Sequence, residues 1–129
     1  MDWRRELDEL HEFFEAYYLG TIDSLERAEL AFAPDFSHVG PDGVEHDRAA
    51  VMAMIEAGHA HTSSVSITLD DHRLLADSGD TVVATCVEHH RLSDRNNARR
   101  LTVVFRRQPS APNGLRWRWV QETWLPAPA

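Results

Sequence analysis

Three ionisable side chains could carry out acid–base chemistry, because their positions in strand-like runs put them on an apolar face. Glu88 and His90 share one parity in the alternating run Thr81–Leu92, and Glu122 has the corresponding parity in the run Leu115–Leu125. Free imidazole titrates near pH 6.5, and a neighbouring carboxylate favours its charged form, which suits general acid/base catalysis. We therefore predict His90, Glu122 and Glu88 as catalytic residues.

Burial restricts what these groups can do. Moving an unpaired carboxylate out of water costs several kcal/mol, so Glu88 and Glu122 must pair, become protonated or line a hydrated cavity. A cavity between a sheet and helices would accommodate both carboxylates and His90. The alternative is that these residues lie at frayed strand ends, in water and without a role.

A register for the sheet follows if every hairpin closes symmetrically about its turn. His90, Leu101 and Glu122 then form one row across three strands, with about 10 Å between His90 and Glu122 at ~4.8 Å per strand. The facing pairs in this register are residues 76 and 81, 92 and 99, and 108 and 115.

The two faces of this sheet differ in character. Trp117 and Trp119 fall on the outer face, among polar side chains. The apolar face should cover the helices, and together with the first helix and a short strand it supplies the predicted ligand-binding residues. These are Phe14, Tyr17, Phe36, His38, Leu101, Val103, Phe105, Val120 and Trp124.

Neither a metal site nor a cofactor is predicted. The stretch HEFFE that starts at His11 has Glu15 where a zinc-binding helix would have its second histidine, so a solvated helix face is the better interpretation. His59 and His61 could clamp a metal but lack a clear third ligand. Cys86 is the only cysteine, which excludes an intrachain disulfide, and it is expected to be a buried thiol.

Helical periodicity dominates the first sixty residues. Apolar side chains three and four positions apart predict an amphipathic first helix; they are Trp3, Leu7, Leu10, Phe14 and Tyr17. The expected elements are a helix ending at Gly20, a helix from a Thr21 cap through Phe32, strands Phe36–Gly40 and Val44–His46, and a helix capped by Asp47 that ends at Gly58.

The hydrophobic period changes to two after residue 62. Helices followed by hairpin-linked strands predict an α+β fold, and strands this long must twist and curl, so the three helices should pack on a strongly curved antiparallel sheet. The four strand-like runs are Ser64–Ala76, Thr81–Leu92, Arg99–Gln108 and Leu115–Leu125.

Length and charge exclude several classes of protein. A chain of 129 residues predicts one domain over 1–129. Its 21 acidic and 13 basic residues give a net charge of −8, which argues against nucleic acid or an anionic membrane as partner. No apolar run is long enough for a membrane span, and together with the single cysteine this favours a cytoplasmic protein.

The order of elements resembles the NTF2-like superfamily, and two stretches sharpen the likeness. One runs from Phe32 to Gly43, and the other is WRWVQETW, from Trp117 to Trp124, which is similar to the terminal strand of SnoaL-like and DUF4440 proteins. The resemblance implies a cone-shaped α+β roll with a ligand pocket under the first helix. It also implies a homodimer through the outer sheet face, with Trp117 and Trp119 at the interface.

The resemblance implies less about chemistry. The catalytic base of ketosteroid isomerases would fall on Gly40, and the pocket arginines of kinase association domains would align near Glu88, Val103 and Trp124, none of which is basic. A small neutral or weakly basic organic ligand is therefore expected. Two hypotheses follow: a non-catalytic binding or dimerisation module, or a cofactor-independent isomerase, dehydratase or cyclase that uses histidine–carboxylate chemistry.

Overall fold

The first helix, α1 (Trp3–Leu19), has a defined cap at each end. The computed structural model describes residues 2–126, so Met1 and residues 127–129 of the predicted domain lie outside the described residues. The Asp2 side chain accepts a hydrogen bond of 3.0 Å from the Arg5 amide. Gly20 ends the helix at φ 80°, the left-handed conformation that glycine adopts without strain.

The second helix, α2 (Glu26–Ala31), is shorter than the sequence predicts. Thr21 does not cap it, because its hydroxyl donates to the Ala16 carbonyl at 2.9 Å and so completes the end of α1. Strand β1 (Phe32–Val39) starts directly after α2, which puts Phe32 in the sheet and not in the helix.

A short hairpin strand leads into the third helix. Strand β2 (Glu45–Asp47) pairs antiparallel with β1, and α3 (Arg48–Ala57) follows at once. The Asp47 carboxylate accepts from the Ala50 amide at 2.8 Å, so the predicted cap is confirmed.

Six strands form one sheet in the order β2-β1-β6-β5-β4-β3. Every neighbouring pair is antiparallel except β1 and β6, which run parallel. Helices packed on a mostly antiparallel sheet confirm the predicted α+β fold, and the parallel pair is a feature that the sequence analysis did not anticipate. The long strands are β3 (Val65–Asp77), β4 (Thr81–Leu92), β5 (Asn96–Arg107) and β6 (Leu115–Trp124).

The predicted register is correct over part of two hairpins and wrong at the third. Residues 65–70 of β3 and 99–104 of β5 pair with β4 and β6 in the predicted register, but irregularities nearer the turns shift the pairing, so Ala76 faces Val83 and Arg107 faces Leu115. Pairing of β4 with β5 is displaced by four residues, because the turn is tighter than expected and β5 starts at Asn96. His90 therefore faces Asn97, whereas Leu101 and Glu122 share their row with Cys86. An even displacement keeps each side chain on its predicted face.

A bulge in β6 separates the two tryptophans that were expected on the outer face. Trp117 pairs with Phe105 and Trp119 with Val104, so one extra residue lies between them. Trp117 is 1% exposed and belongs to the core, and its predicted position on the outer face is wrong. Trp119 remains outside, where it completes a row with Val104 and Val83.

A buried carboxylate ties α1 to the rest of the core. Glu6 is fully buried and accepts from Arg27 Nη2 at 2.6 Å, from Asn113 Nδ2 at 2.9 Å and from Trp117 Nε1 at 2.8 Å. These bonds satisfy the charge where water is excluded. Among residues 2–126, no helix has the length and apolar character that crossing a membrane requires.

Candidate functional site

A cavity of about 280 Å³ lies between the helices α1 and α3 and the inner face of the sheet. Its walls are mostly apolar, and they come from both helices and from five strands. One lining residue, Met54 on α3, is about half exposed. The apolar lining residues are Leu10, Phe14, Phe32, Phe36, Val51, Met54, Ile55, Ile67, Leu101, Trp117 and Val120.

Glu88 on β4 is the centre of the polar lining, and it lies between two imidazoles. It is 5% exposed. Its Oε1 is 2.7 Å from Nε2 of His11 on α1, and its Oε2 contacts Nε2 of His90, two residues along the same strand. One buried carboxylate thus joins the first helix to an imidazole at the cavity.

A second imidazole–carboxylate pair faces the same cavity. His38 Nε2 on β1 lies 3.2 Å from Glu122 Oε2 on β6. Arg99 on β5 stands between the two carboxylates, with Nη1 3.5 Å from Glu122 Oε2 and Nε 4.0 Å from Glu88 Oε2. Acids and bases are therefore interleaved across β1, β4, β5 and β6.

Burial and neighbouring charges shift the proton affinities in opposite directions at the centre of the site. Burial by itself would raise the pKa of Glu88, but the charges and hydrogen bonds of His11 and His90 hold that pKa well below its ordinary range. Burial opposes a charge on His11, yet the Glu88 carboxylate raises the pKa of His11 above its ordinary value. Burial raises the pKa of Tyr18, which also lines the cavity, to about 12, so its hydroxyl stays a neutral donor.

Eight of the residues singled out from the sequence line the cavity. Their side chains meet there because the even displacement of β4 against β5 left their faces unchanged. They are Glu88, His90, Glu122, Phe14, Phe36, His38, Leu101 and Val120.

Four expected ligand-binding residues lie elsewhere. Tyr17 is buried on another side of α1, where its ring stacks on Phe13 with centroids 5.5 Å apart. Val103 and Phe105 face inward as predicted, but they are packed into the solid core beyond the cavity. Trp124 is 51% exposed, and the Arg99 guanidinium lies 4.5 Å from the centre of its ring.

The structure adds three polar lining residues that the sequence analysis missed, namely His11, Tyr18 and Arg99. His11 was expected on a solvated face, but it is 4% exposed. Its position four residues after Leu7 and three before Phe14 is the signal that could have placed it on the buried stripe. Arg99 places a guanidinium on the cavity, at a position that the comparison with kinase association domains did not single out.

The arrangement can bind polar groups and move protons. A carboxylate–imidazole pair can donate or accept a proton near neutral pH, and two such pairs share the cavity. Within the described range 2–126, no three His, Cys, Asp or Glu side chains are grouped so that they could hold one metal ion.

Comparison with solved structures shows the same fold in proteins with different descriptions. An NTF2-like protein of unknown function from Pseudomonas aeruginosa is 28% identical, with a TM-score of 0.89, and covers 96% of this chain and 98% of its own. A candidate dehydratase of the NTF2-like family from Streptomyces avermitilis is 23% identical, with a TM-score of 0.68 over 96% and 95%. The CaMKII hub of S. rosetta is 14% identical, with a TM-score of 0.72 over 97% and 98%.

Sequence comparison assigns the family. None of the curated proteins matches this chain. The profile of the SnoaL-like domain matches residues 8–123, which include most of α1, all of α2 and α3, strands β1 to β5 and all but the last residue of β6. The chain therefore belongs to the SnoaL-like family, within the NTF2-like superfamily.

Proposed function

We propose that this chain binds a small neutral or weakly basic organic molecule in the cavity. The observation that supports this most directly is an apolar space of about 280 Å³ with its polar groups gathered on a few strands. Ligand sites have this composition, since apolar walls supply affinity and a few polar groups fix orientation. A cavity of ~150 Å³ holds benzene, so roughly one or two rings would fit here.

The charges of the lining support the choice of ligand class. Arg99 is already engaged by both carboxylates, at 3.5 Å from Glu122 and 4.0 Å from Glu88. An anionic ligand would have to compete with these two acids for the guanidinium. A neutral carbonyl or hydroxyl group could bind His38, His90 or Tyr18 without displacing any ion pair.

The binding proposal is tested with a panel of uncharged one-ring and two-ring ketones, aldehydes and alcohols. We expect at least one compound to raise the unfolding temperature and to shift the amide signals of cavity residues. Val120→Phe, which fills the cavity, should abolish both effects. Val44→Phe, at an exposed turn position, is the control and should preserve them. Equal binding by Val120→Phe would overturn the proposal.

Cofactor-independent proton transfer is the second candidate function. The specific observation that favours it is the presence of two imidazole–carboxylate pairs, His90 with Glu88 and His38 with Glu122, on one cavity. One pair could take a proton from a substrate carbon while the other gives a proton to oxygen, which is the requirement for isomerisation, dehydration or cyclisation. Likeness to the candidate dehydratase makes dehydration the first reaction to test.

Turnover of any compound that binds separates the two functions. In an enzyme, His90→Gln and Glu122→Gln should retain binding and lose about 10²-fold or more in rate. Binding by the parent protein without conversion would make the chain a non-catalytic binding module. Conversion by both variants at the parental rate would refute the catalytic roles.

We also propose a homodimer through the outer face of the sheet. The supporting observation is the half-buried apolar row Val83, Val104 and Trp119, which crosses three strands on the side away from the helices. Val104→Glu should convert a dimer to a monomer in sedimentation analysis, and Val44→Glu should not. A parent chain that sediments as a monomer at high concentration would exclude the dimer.

A further inference from the structure

The hydrogen bonds of His11 fix its protonation. Nδ1 lies 2.8 Å from the carbonyl oxygen of Leu7, and Nε2 lies 2.7 Å from Oε1 of Glu88. A carbonyl oxygen and a carboxylate can only accept hydrogen bonds. Both ring nitrogens of His11 must therefore donate, and an imidazole with two N–H groups carries a positive charge. The single alternative is a proton on Glu88.

The surroundings of Glu88 decide between these two proton positions. His90 on the same strand contacts Oε2, and the Arg99 guanidinium on β5 lies 4.0 Å from that oxygen. These donors and the nearby charge favour the ionised carboxylate. Of the other groups on the cavity, Glu122 on β6 favours a cation at His11, and Tyr18 on α1 is neutral.

We infer that His11 is a protonated positioning residue, which holds Glu88 as a carboxylate and thereby fixes His90 with its proton on Nε2. The inference rests on the proposed function in one respect, namely that His90 acts on a ligand. Because Glu88 can only accept, Nε2 of His90 donates to it, and Nδ1 is left as the nitrogen that can take a proton.

The charge of His11 matters as much as its hydrogen bond. Without His11, the buried carboxylate would face only the more distant Arg99 guanidinium, at 4.0 Å, and would favour a second proton on His90. A doubly protonated ring cannot act as a base. With His11 positively charged, Glu88 is already neutralised. Nδ1 of His90 is then the nitrogen left to accept a proton from a bound molecule.

Long-range proton–nitrogen NMR of the imidazoles tests this assignment without any ligand. Near pH 7, His11 should show two protonated nitrogens and His90 a proton on Nε2 alone. In His11→Gln, which keeps an amide donor but no charge, His90 should gain its second proton. His89→Gln, an exposed histidine on the outer face, is the matched control and should change neither signal.

Two results would overturn the inference: a bare ring nitrogen on His11 near pH 7, or an unchanged His90 in His11→Gln. Should His11→Gln not fold, Glu88→Gln serves instead, because an amide leaves His11 without its counter-charge, and His11 should then lose one proton. The result of these NMR measurements does not depend on whether any compound binds in the cavity. Failure of every compound to bind would refute the proposed function and leave these protonation states intact.

Discussion

The Glu88→Gln variant should show how strongly the central carboxylate stabilises the fold. Glu88 is almost fully buried and accepts from His11 at 2.7 Å and from His90. The substitution preserves shape but removes the negative charge that both imidazoles face. Breaking a buried ion pair by removing one partner costs about 3–5 kcal/mol. We expect a loss of that order in the free energy of unfolding.

The pH dependence of this loss is set by the two pKa shifts. The pKa of Glu88 lies below its ordinary value of 4.5, so its contribution is complete above pH 4.5 and is lost as the pH falls through the folded pKa. The pKa of His11 lies above its ordinary value of 6.5, so its contribution is complete below pH 6.5 and is lost as the pH rises through the folded pKa. The variant should therefore be most impaired between these two limits.

Urea unfolding of the parent and Glu88→Gln at about pH 5.5 and about pH 9 measures both effects. The difference in unfolding free energy should shrink at the higher pH, toward the ~1–3 kcal/mol expected for unsatisfied hydrogen-bonding groups. Glu12→Gln, at an exposed position on α1, is the control and should change stability by no more than about 0.5 kcal/mol. Equal losses at the two pH values would refute the assignment of His11 as the charge partner.

Two more predictions concern buried groups away from the cavity. Glu6→Ala leaves the cation of Arg27 and the Nε1–H of Trp117 without their Glu6 acceptor. Urea titrations should show a free energy of unfolding lower by about 3–5 kcal/mol. A loss below ~1 kcal/mol would contradict the hydrogen-bond network around Glu6. Burial raises the pKa of Cys86 to about 12, so a maleimide should label the folded chain roughly a thousandfold more slowly than the unfolded chain. Equal labelling rates would contradict its burial.

The sequence was most informative where a local pattern determines the structure. Strand β4 has the predicted ends at Thr81 and Leu92, and Asp47 caps α3, because alternation and capping are local signals. The turn after β4 was misjudged because Asn96 and Asn97 are polar residues typical of loops, whereas here they pair in β5. Pairing across the sheet outweighed their local preference.

Other parts of the site depended on contacts that no local pattern encodes. The bulge that moves Trp117 into the core lacks a sequence signature, since the alternation of tryptophan and arginine continues through it. His11 was assigned to a solvated helix face because the stretch HEFFE has Glu15 where a zinc-binding helix would have its second histidine. Its burial depends on Glu88, whose position relative to α1 follows only from the complete fold.

That dependence on the complete fold has a kinetic consequence. The contact between His11 and Glu88 spans 77 residues of chain. Closing so long a loop costs conformational entropy. That cost must be met before the contact contributes any stability, so pairings of this kind form late in folding. Protection of the His11 ring protons during refolding would therefore report completion of the native structure, and a ligand of the cavity would bind only chains that have reached it.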